Sequence, residues 1–162
     1  MATNERVFAA LDEADVRFVL VGGVAVVAHG FARLTVDVDV VIDLADEVAS
    51  RAMTALTGLG LEPRLPVLAQ QFADGEMRRS WIADKGMRVF TMLDPNDPVF
   101  ELDVFVESPL PFEDLVRDAK SVVVAGRPVR IASIDHLIAM KRKAGRSKDL
   151  DDIAELEQLR DE

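Results

Sequence analysis

Apolar positions change their period several times along this chain, and the changes divide it into short helices and strands. Val7, Phe8 and Leu11 recur at helical spacing behind Asn4, which predicts an amphipathic helix over residues 4–14 capped by Asn4. The run RFVLVG, Arg17 to Gly22, is short, rich in valine and ended by glycine, so it reads as a buried strand. GVAVVAHG continues with small apolar residues to Gly30, giving a strand, a Gly22-Gly23 turn and a short buried helix. VDVDVVID, Val36 to Asp43, returns to a strand pattern. ADEVASRAMTALTGLG then sets Val48, Met53, Leu56 and Leu59 on one inward helical face, with Gly60 just past its end.

The periodicity is lost over residues 61–86, LEPRLPVLAQQFADGEMRRSWIADKG, where two prolines and mixed polarity fit a loop that shapes a substrate site. Beyond it, MRVFTML and VFELDVFV flank the turn-rich DPNDP and predict a hairpin. PFEDLVRDAK reads as a short helix and SVVVAGRPVRI as a second hairpin around Ala125-Gly126. Ser133 is placed to cap IDHLIAMKRKAG, and SKDLDDIAELEQLRD closes the chain as a helix with Leu150, Ile153, Leu156 and Leu159 on one face. There is no internal repeat, low-complexity tract or linker. The expected architecture is therefore α/β (α+β): one domain over residues 1–162, a mixed sheet with flanking helices, and C-terminal helices (133–160) packing on or extending the core.

Composition narrows the function classes. At 162 residues and 49% hydrophobic content the chain supports one real core. With 29 acidic against 19 basic residues the net charge is −10, so broad DNA binding through the surface is disfavoured and any phosphate contact needs a local basic cluster. The absence of cysteine excludes disulfides, thiolate ligands and a Cys nucleophile. The N-terminal MATNERVFAALDEAD carries charges where a signal peptide has its apolar core, and no run approaches the ~18 apolar residues of a membrane span. A cytoplasmic protein with no membrane contact is the expectation.

The chemistry begins with Asp37 and Asp39. In a strand, residues two apart share a face, so these carboxylates project side by side while Val36, Val38 and Val40 point the other way. Neighbouring like charges raise one another's pKa unless a cation sits between them, and paired oxygen ligands suit Mg²⁺ bound with substrate phosphates. The plain alternative is a solvated face of an edge strand. Gly22-Gly23 adds context, because a glycine helix start lets backbone N–H groups approach a phosphate closely. On FELDVFV, Glu101, Asp103 and Phe105 share a face, and Asp103 supplies a third carboxylate among apolar neighbours.

VGGVAVVAHGFARLTVDVDVVID resembles the signature of the nucleotidyltransferase superfamily typified by DNA polymerase beta: a Gly-Gly or Gly-Ser helix start, a gap, then an acidic-x-acidic strand. Asp103 is similar to that superfamily's third acid. In LIAMKRKAGRSKDLDDI, Leu137, Lys141, Arg146, Lys148, Asp149 and Asp152 resemble a motif of the AbiEii-like minimal nucleotidyltransferases, which include toxins of toxin–antitoxin and phage-defence systems. The resemblance covers nearly the whole chain outside Leu61 to Lys85. It implies a nucleotidyltransferase fold, Mg²⁺ (or Mn²⁺) held by Asp37, Asp39 and Asp103, and an NTP as substrate. It also implies transfer of a nucleoside monophosphate to a hydroxyl of a protein or RNA acceptor, with a cognate antitoxin as partner. Asp103 would help position a second metal or deprotonate the acceptor hydroxyl.

Other residues carry two readings. Arg33 and Thr35, just before Asp37, can approach the triphosphate and brace the loop, or stand as a solvated Arg and a turn Thr. Lys141, Arg146 and Lys148 lie in a patch of five positive residues in eight, which can receive phosphates or an RNA end, or can balance a helix terminus and pair with Asp151 or Asp152. Asp149 and Asp152, three apart on a helix, can hold Lys141 or Arg146 in place, or complement the helix dipole. His29 reads as packed or capping, His136 as surface and Trp81 as core. Two departures stand out: Gly23 occupies a position where many active members have Ser, leaving phosphate contact to Gly22 and Gly23 backbone, and the chain has little room for an extra acceptor-gripping domain. They keep open a second class, a catalytically silent nucleotidyltransferase-fold binding module.

Overall fold

A computed structural model describes residues 2–30, 37–147 and 149–162. In the interior of its sheet lies β1 (Phe18–Val21), in which all four residues are buried, as expected of a strand covered on both faces. Next to it β2 (Asp37–Ile42) runs antiparallel, and β5 (Asp97–Phe105) runs parallel to β2. With β3 (Glu62–Pro63), β4 (Val89–Asp94), β6 (Lys120–Val124) and β7 (Arg127–Ile131), the described strands form a mixed sheet in the order β3-β4-β5-β2-β1-β7-β6. Both predicted hairpins are present. In the second, Ala125 and Gly126 have φ of 50° and 79°, the backbone sign of a type I′ turn.

The helices are α1 (Thr3–Glu13), α2 (Gly22–Ala28), α3 (Asp46–Gly58), α4 (Gly75–Lys85), α5 (Phe112–Asp118), α6 (Ile134–Ala144) and α7 (Asp149–Asp161). Helix α1 packs on α3, α2 on β1 and β2, α5 on β1, and α6 on both α2 and α7. The core they enclose holds Leu11, Leu20, Ile42, Phe90 and Leu102, all nearly inaccessible, and each such burial is worth about 1.5–3 kcal/mol. Ser133 caps α6 as expected, accepting from the His136 N–H at 3.1 Å. No helix among the described residues is long and apolar enough to cross a membrane.

Three expectations change. Helix α1 starts one residue early, with Ala2 at the cap and Asn4 already inside the first turn; the Glu5 carboxylate accepts from the Ala2 N–H at 3.3 Å, taking over the capping role. The residues expected to form a loop contain a 3₁₀ turn (Ala69–Ala73) and α4, the latter capped by Asp74 and ended by Gly86 at φ 61°. Its period was unreadable because one inward position is Arg78, whose guanidinium donates to the carbonyls of Phe72 (2.5 Å) and Leu44 (2.9 Å). Trp81, the next inward residue, stacks on Phe90 at 5.4 Å and belongs to the core. In α7 the expected apolar face is kept in part: Ile153 and Leu156 face inward, but Asp149 and Asp152 join them there and Leu150 is 65% exposed.

Candidate active site

Strand pairing assembles the site. Val21 lies opposite Asp39, Asp37 opposite Glu101, Asp39 opposite Asp103, and Thr91 opposite Asp103, so four adjacent strands bring one polar row together. Val38, Val40, Leu102 and Val104 alternate with these carboxylates and are buried on the other face, which fixes the register: a one-residue slip would bury the acids. One oxygen each from Asp37, Glu101 and Asp103 lie within 4.8 Å of one another. The Thr91 hydroxyl donates to Asp103 at 2.6 Å, orienting it. Glu101 also pairs with Arg64 from the segment before the 3₁₀ turn.

Asp39 is the most perturbed acid here. Burial first, then the charges of Asp103 and Asp37 and a hydrogen bond with Asp103, push its pKa up to about 7, against a smaller opposing pull from Lys141. The chain leaves little room to relieve this crowding. Gly22, at φ 67°, is so close that a Cβ there would lie 2.3 Å from Asp39 Oδ2, so the first residue of α2 must be glycine for both conformation and space.

Facing the carboxylates is a crevice of about 110 Å³ lined by Gly22, Asp39, Arg88, Phe105, Lys141 and Arg146, among others. Lys141 projects from α6, its side chain only 11% exposed, with Asp152 at 2.9 Å and Asp149 at 3.6 Å. Arg146 Nε sits 2.9 Å from Asp149. Burial raises the Asp149 pKa, but the hydrogen bond from Arg146 and the charges of Arg146 and Lys141 outweigh it, and the net shift is downward. Thus α7 turns two acids inward to hold two cations at the mouth of the crevice. Two more described residues of the basic patch are also engaged: Arg142 Nη2 reaches Glu157 at 2.5 Å, and Lys143 Nζ donates to the Pro109 carbonyl at 3.2 Å.

The structure therefore brings together Asp37, Asp39, Asp103, Gly22, Lys141, Arg146, Asp149 and Asp152. Gly23 lies half-buried in the first turn of α2. Arg33, Thr35 and Lys148 lie outside the described residues. His29 is a packed residue, its Nε2 2.7 Å from the Ala132 carbonyl, where it ties the end of α2 to the approach to α6. His136 is half-buried rather than surface, 3.6 Å from Asp118. Three residues at the site carried no assigned role in the sequence. Glu101 was visible as a same-face neighbour of Asp103, Thr91 was recoverable from the hairpin register, and Arg88 left no local signal.

The donor set suits a hard divalent cation. Oxygens sharing one Mg²⁺ at ordinary bond lengths of ~2.1 Å are about 3.0 Å apart when adjacent and about 4.2 Å when opposite, so the Asp37, Glu101 and Asp103 oxygens, all within 4.8 Å of one another, would draw together around one ion. The raised pKa of Asp39 is consistent with this: burial is its largest cause, and the charges of Asp103 and Asp37 add to it against only a partial offset from Lys141.

Comparison with known proteins gives a consistent picture. The sequence family described as "Nucleotidyl transferase AbiEii toxin, Type IV TA system" matches residues 6–161. No curated protein sequence matches the chain. Among solved structures, the antibiotic-resistance factor ANT(2'')-Ia, whose solution structure is described as revealing substrate-regulated conformation dynamics, is similar with a TM-score of 0.58 at 19% identity, over 96% of this chain and 79% of that one. The crystal structure of ANT(2'')-Ia in complex with adenylyl-2''-tobramycin is similar with a TM-score of 0.58 at 16% identity, over 97% and 92%. An antigenic nucleotidyltransferase-like protein from Paracoccidioides brasiliensis aligns with a TM-score of 0.52 at 16% identity, over 98% and 77%. These likenesses establish a nucleotidyltransferase fold.

Proposed function

The chain belongs to the AbiEii nucleotidyltransferase family, and from that premise we propose that it moves a nucleoside monophosphate from an NTP to a hydroxyl of a protein or RNA acceptor, as the toxin of a toxin–antitoxin pair. The observation that carries this reading is the convergence of Asp37, Asp39 and Asp103 beside Gly22 and Lys141. Asp37 and Asp103, with Glu101 alongside and Asp39 once it is deprotonated, would hold Mg²⁺ (or Mn²⁺). When bound, that ion supplies neutralisation of triphosphate charge and stabilisation of the attacking and leaving oxygens.

The protein's own residues do the rest. Gly22 and Gly23 present backbone without side chains to the donor, so phosphate oxygens can approach the amides that a Ser would otherwise assist. Lys141 and Arg146, held by Asp149 and Asp152, face the side on which pyrophosphate departs and balance its charge. The acceptor hydroxyl attacks the α-phosphorus: the acceptor O–P bond forms, the P–O bond to the β-phosphate breaks, and pyrophosphate leaves. Asp103, oriented by Thr91, takes the acceptor proton. ANT(2'')-Ia, a protein of this fold, is found in complex with adenylyl-2''-tobramycin, and a small-molecule adenylyl compound of that kind supports adenylyl transfer as the chemistry. We take residues 1–162 as one working unit in which α6 and α7 supply the cationic wall. A cognate antitoxin and the cytoplasm complete the proposal.

The test is incubation of the full chain with Mg²⁺ and each α-³²P-labelled NTP, against itself, lysate proteins and RNA. Label transfer that disappears in Asp37→Ala supports the reading. No transfer, together with no Mg²⁺-dependent NTP binding by calorimetry, would leave the fold as a binding module and end the enzymatic reading.

A further inference from the structure

The crevice at the carboxylates does not end at Arg146. A second cavity of about 270 Å³ adjoins it, and the two share Arg88, Phe105 and Met140 in their linings. Its walls are mixed: Ile82 at the end of α4, Met87, the end of β5 at Phe105 and Val106, and Met140 of α6 form an apolar side, and Arg88, Glu107, Ser108 and Lys143 a polar one. Arg88 stands at the junction, exposed, and its guanidinium makes no hydrogen bond or ion pair among the described residues. Among the cations that line the two cavities it differs in this from Lys141, Lys143 and Arg146, which all have partners.

The arrangement along β5 orders the crevice. Asp103 and Phe105 share a face two residues apart, so the second cavity begins one side-chain step, roughly 7 Å, beyond the carboxylates. In-line displacement requires the acceptor to enter opposite the leaving pyrophosphate. With Lys141 and Arg146 drawing the pyrophosphate into the first cavity, an acceptor comes from the other side of the carboxylates, toward Glu101. The second cavity is then left for the donor itself. Its size is a little under the roughly 300 Å³ lower end of small-molecule pockets, which suits a nucleoside rather than a whole nucleotide triphosphate.

We propose that this cavity seats the nucleoside of the donor NTP against Phe105 and Met140, with Arg88 binding the phosphate where the two cavities meet. The assignment rests on the nucleotidyl-transfer reading and names where the donor lies within it. The apolar side supplies burial for the flat base, and an unpaired guanidinium supplies a charge-assisted contact without first breaking an existing ion pair.

The experiment is calorimetric titration of the full chain, with Mg²⁺, by the four α,β-methylene nucleoside triphosphates and by inorganic tripolyphosphate. Met87→Trp fills the cavity and is expected to weaken the best nucleotide at least tenfold while leaving tripolyphosphate within twofold. Arg88→Ala, at an exposed position that does not threaten folding, is expected to weaken the nucleotide about tenfold, with partial recovery in Arg88→Lys. If wild type binds nucleotide and both Met87→Trp and Arg88→Ala leave that affinity unchanged, the assignment is overturned while nucleotidyl transfer stands. If Met87→Trp weakens tripolyphosphate as much as the nucleotide, the cavity does not read the nucleoside and the assignment fails. If wild type binds neither nucleotide nor tripolyphosphate, both readings fail together.

Discussion

Two acidic regions of this molecule, the strand floor at β2 and β5 and the clamp between α6 and α7, use aspartates in opposite ways. On the floor, Asp37, Asp39, Glu101 and Asp103 crowd one another, and Asp39 is pushed up to about 7, with burial the largest cause. In the clamp, Asp149 and Asp152 meet Lys141 and Arg146 at 2.9 Å, and the Asp149 pKa is lowered. Glu101 pairs with Arg64, but Asp37 and Asp103 face no cation at salt-bridge distance among the described residues, so the floor leaves charge open for a cation that arrives with substrate. The clamp is neutral by itself, so its cations are fixed in place before any phosphate comes. Site electrostatics follow from which charges the fold leaves unpaired, not from how many there are.

The largest expected effect breaks the floor. Asp37→Ala or Asp103→Ala should lower label transfer by about 10³-fold, roughly 4 kcal/mol of transition-state stabilisation, because each removes a ligand and not merely a charge. Thermal stability of the metal-free protein should stay level or rise, since the substitution relieves repulsion. A fall in Tm large enough to explain the lost transfer would contradict the picture of an open charge site. In the clamp the same chemical change should act on stability first. Asp149→Ala leaves Arg146 and Lys141 short of their shared partner, and its side chain is only 3% exposed. A loss on the order of 3 kcal/mol in urea unfolding is expected, with a raised KM for NTP.

The contrast sharpens with pH. The folded protein keeps Asp39 protonated up to about 7, whereas the unfolded chain releases that proton near the ordinary value of 3.8. Between those values the native state binds more protons, so its stability falls as pH rises from about 4 to 7 and then levels. The ceiling is about 4 kcal/mol, and about 2 kcal/mol is expected after allowance for solvent at this half-buried position. Urea titrations of metal-free protein at pH 5 and pH 7.5 measure it. Mg²⁺ should restore stability at pH 7.5 and do little at pH 5, and Asp39→Asn should flatten the profile. A profile of unchanged slope in Asp39→Asn would place the titration elsewhere.

Most of the floor was legible before any coordinates, because a strand's period of two puts Asp37 beside Asp39 whatever the neighbours do. Its completion was less so. That Glu101 pairs with Asp37 and Asp103 with Asp39 depends on a parallel register between strands some sixty residues apart, which no local pattern encodes. Helix α4 was lost for a different reason: Arg78 points inward to satisfy the Phe72 and Leu44 carbonyls, so a charged residue occupies a position that hydrophobic periodicity assigns to solvent. The clamp misled in the same way. Leu150, Ile153 and Leu156 suggested an apolar face, and Ile153 and Leu156 do face inward, but Asp149 and Asp152 complete that face opposite Lys141 of α6 and leave Leu150 outside.

That exposed leucine makes the smallest prediction. If hydrophobic periodicity had set the orientation of α7, Leu150 would be core, and Leu150→Lys would cost several kcal/mol. With Leu150 65% exposed, the substitution should change urea-unfolding stability by no more than about 0.5 kcal/mol and leave label transfer intact. Leu156→Ala, one and a half turns further on and fully buried, serves as the paired measurement and should cost about 2–5 kcal/mol. Equal losses at the two positions would mean that Leu150 has a packing partner in solution. The buried acids of the clamp would then share their face with Leu150 as well as with Ile153 and Leu156, and the two acidic regions would differ less than their hydrogen bonds indicate.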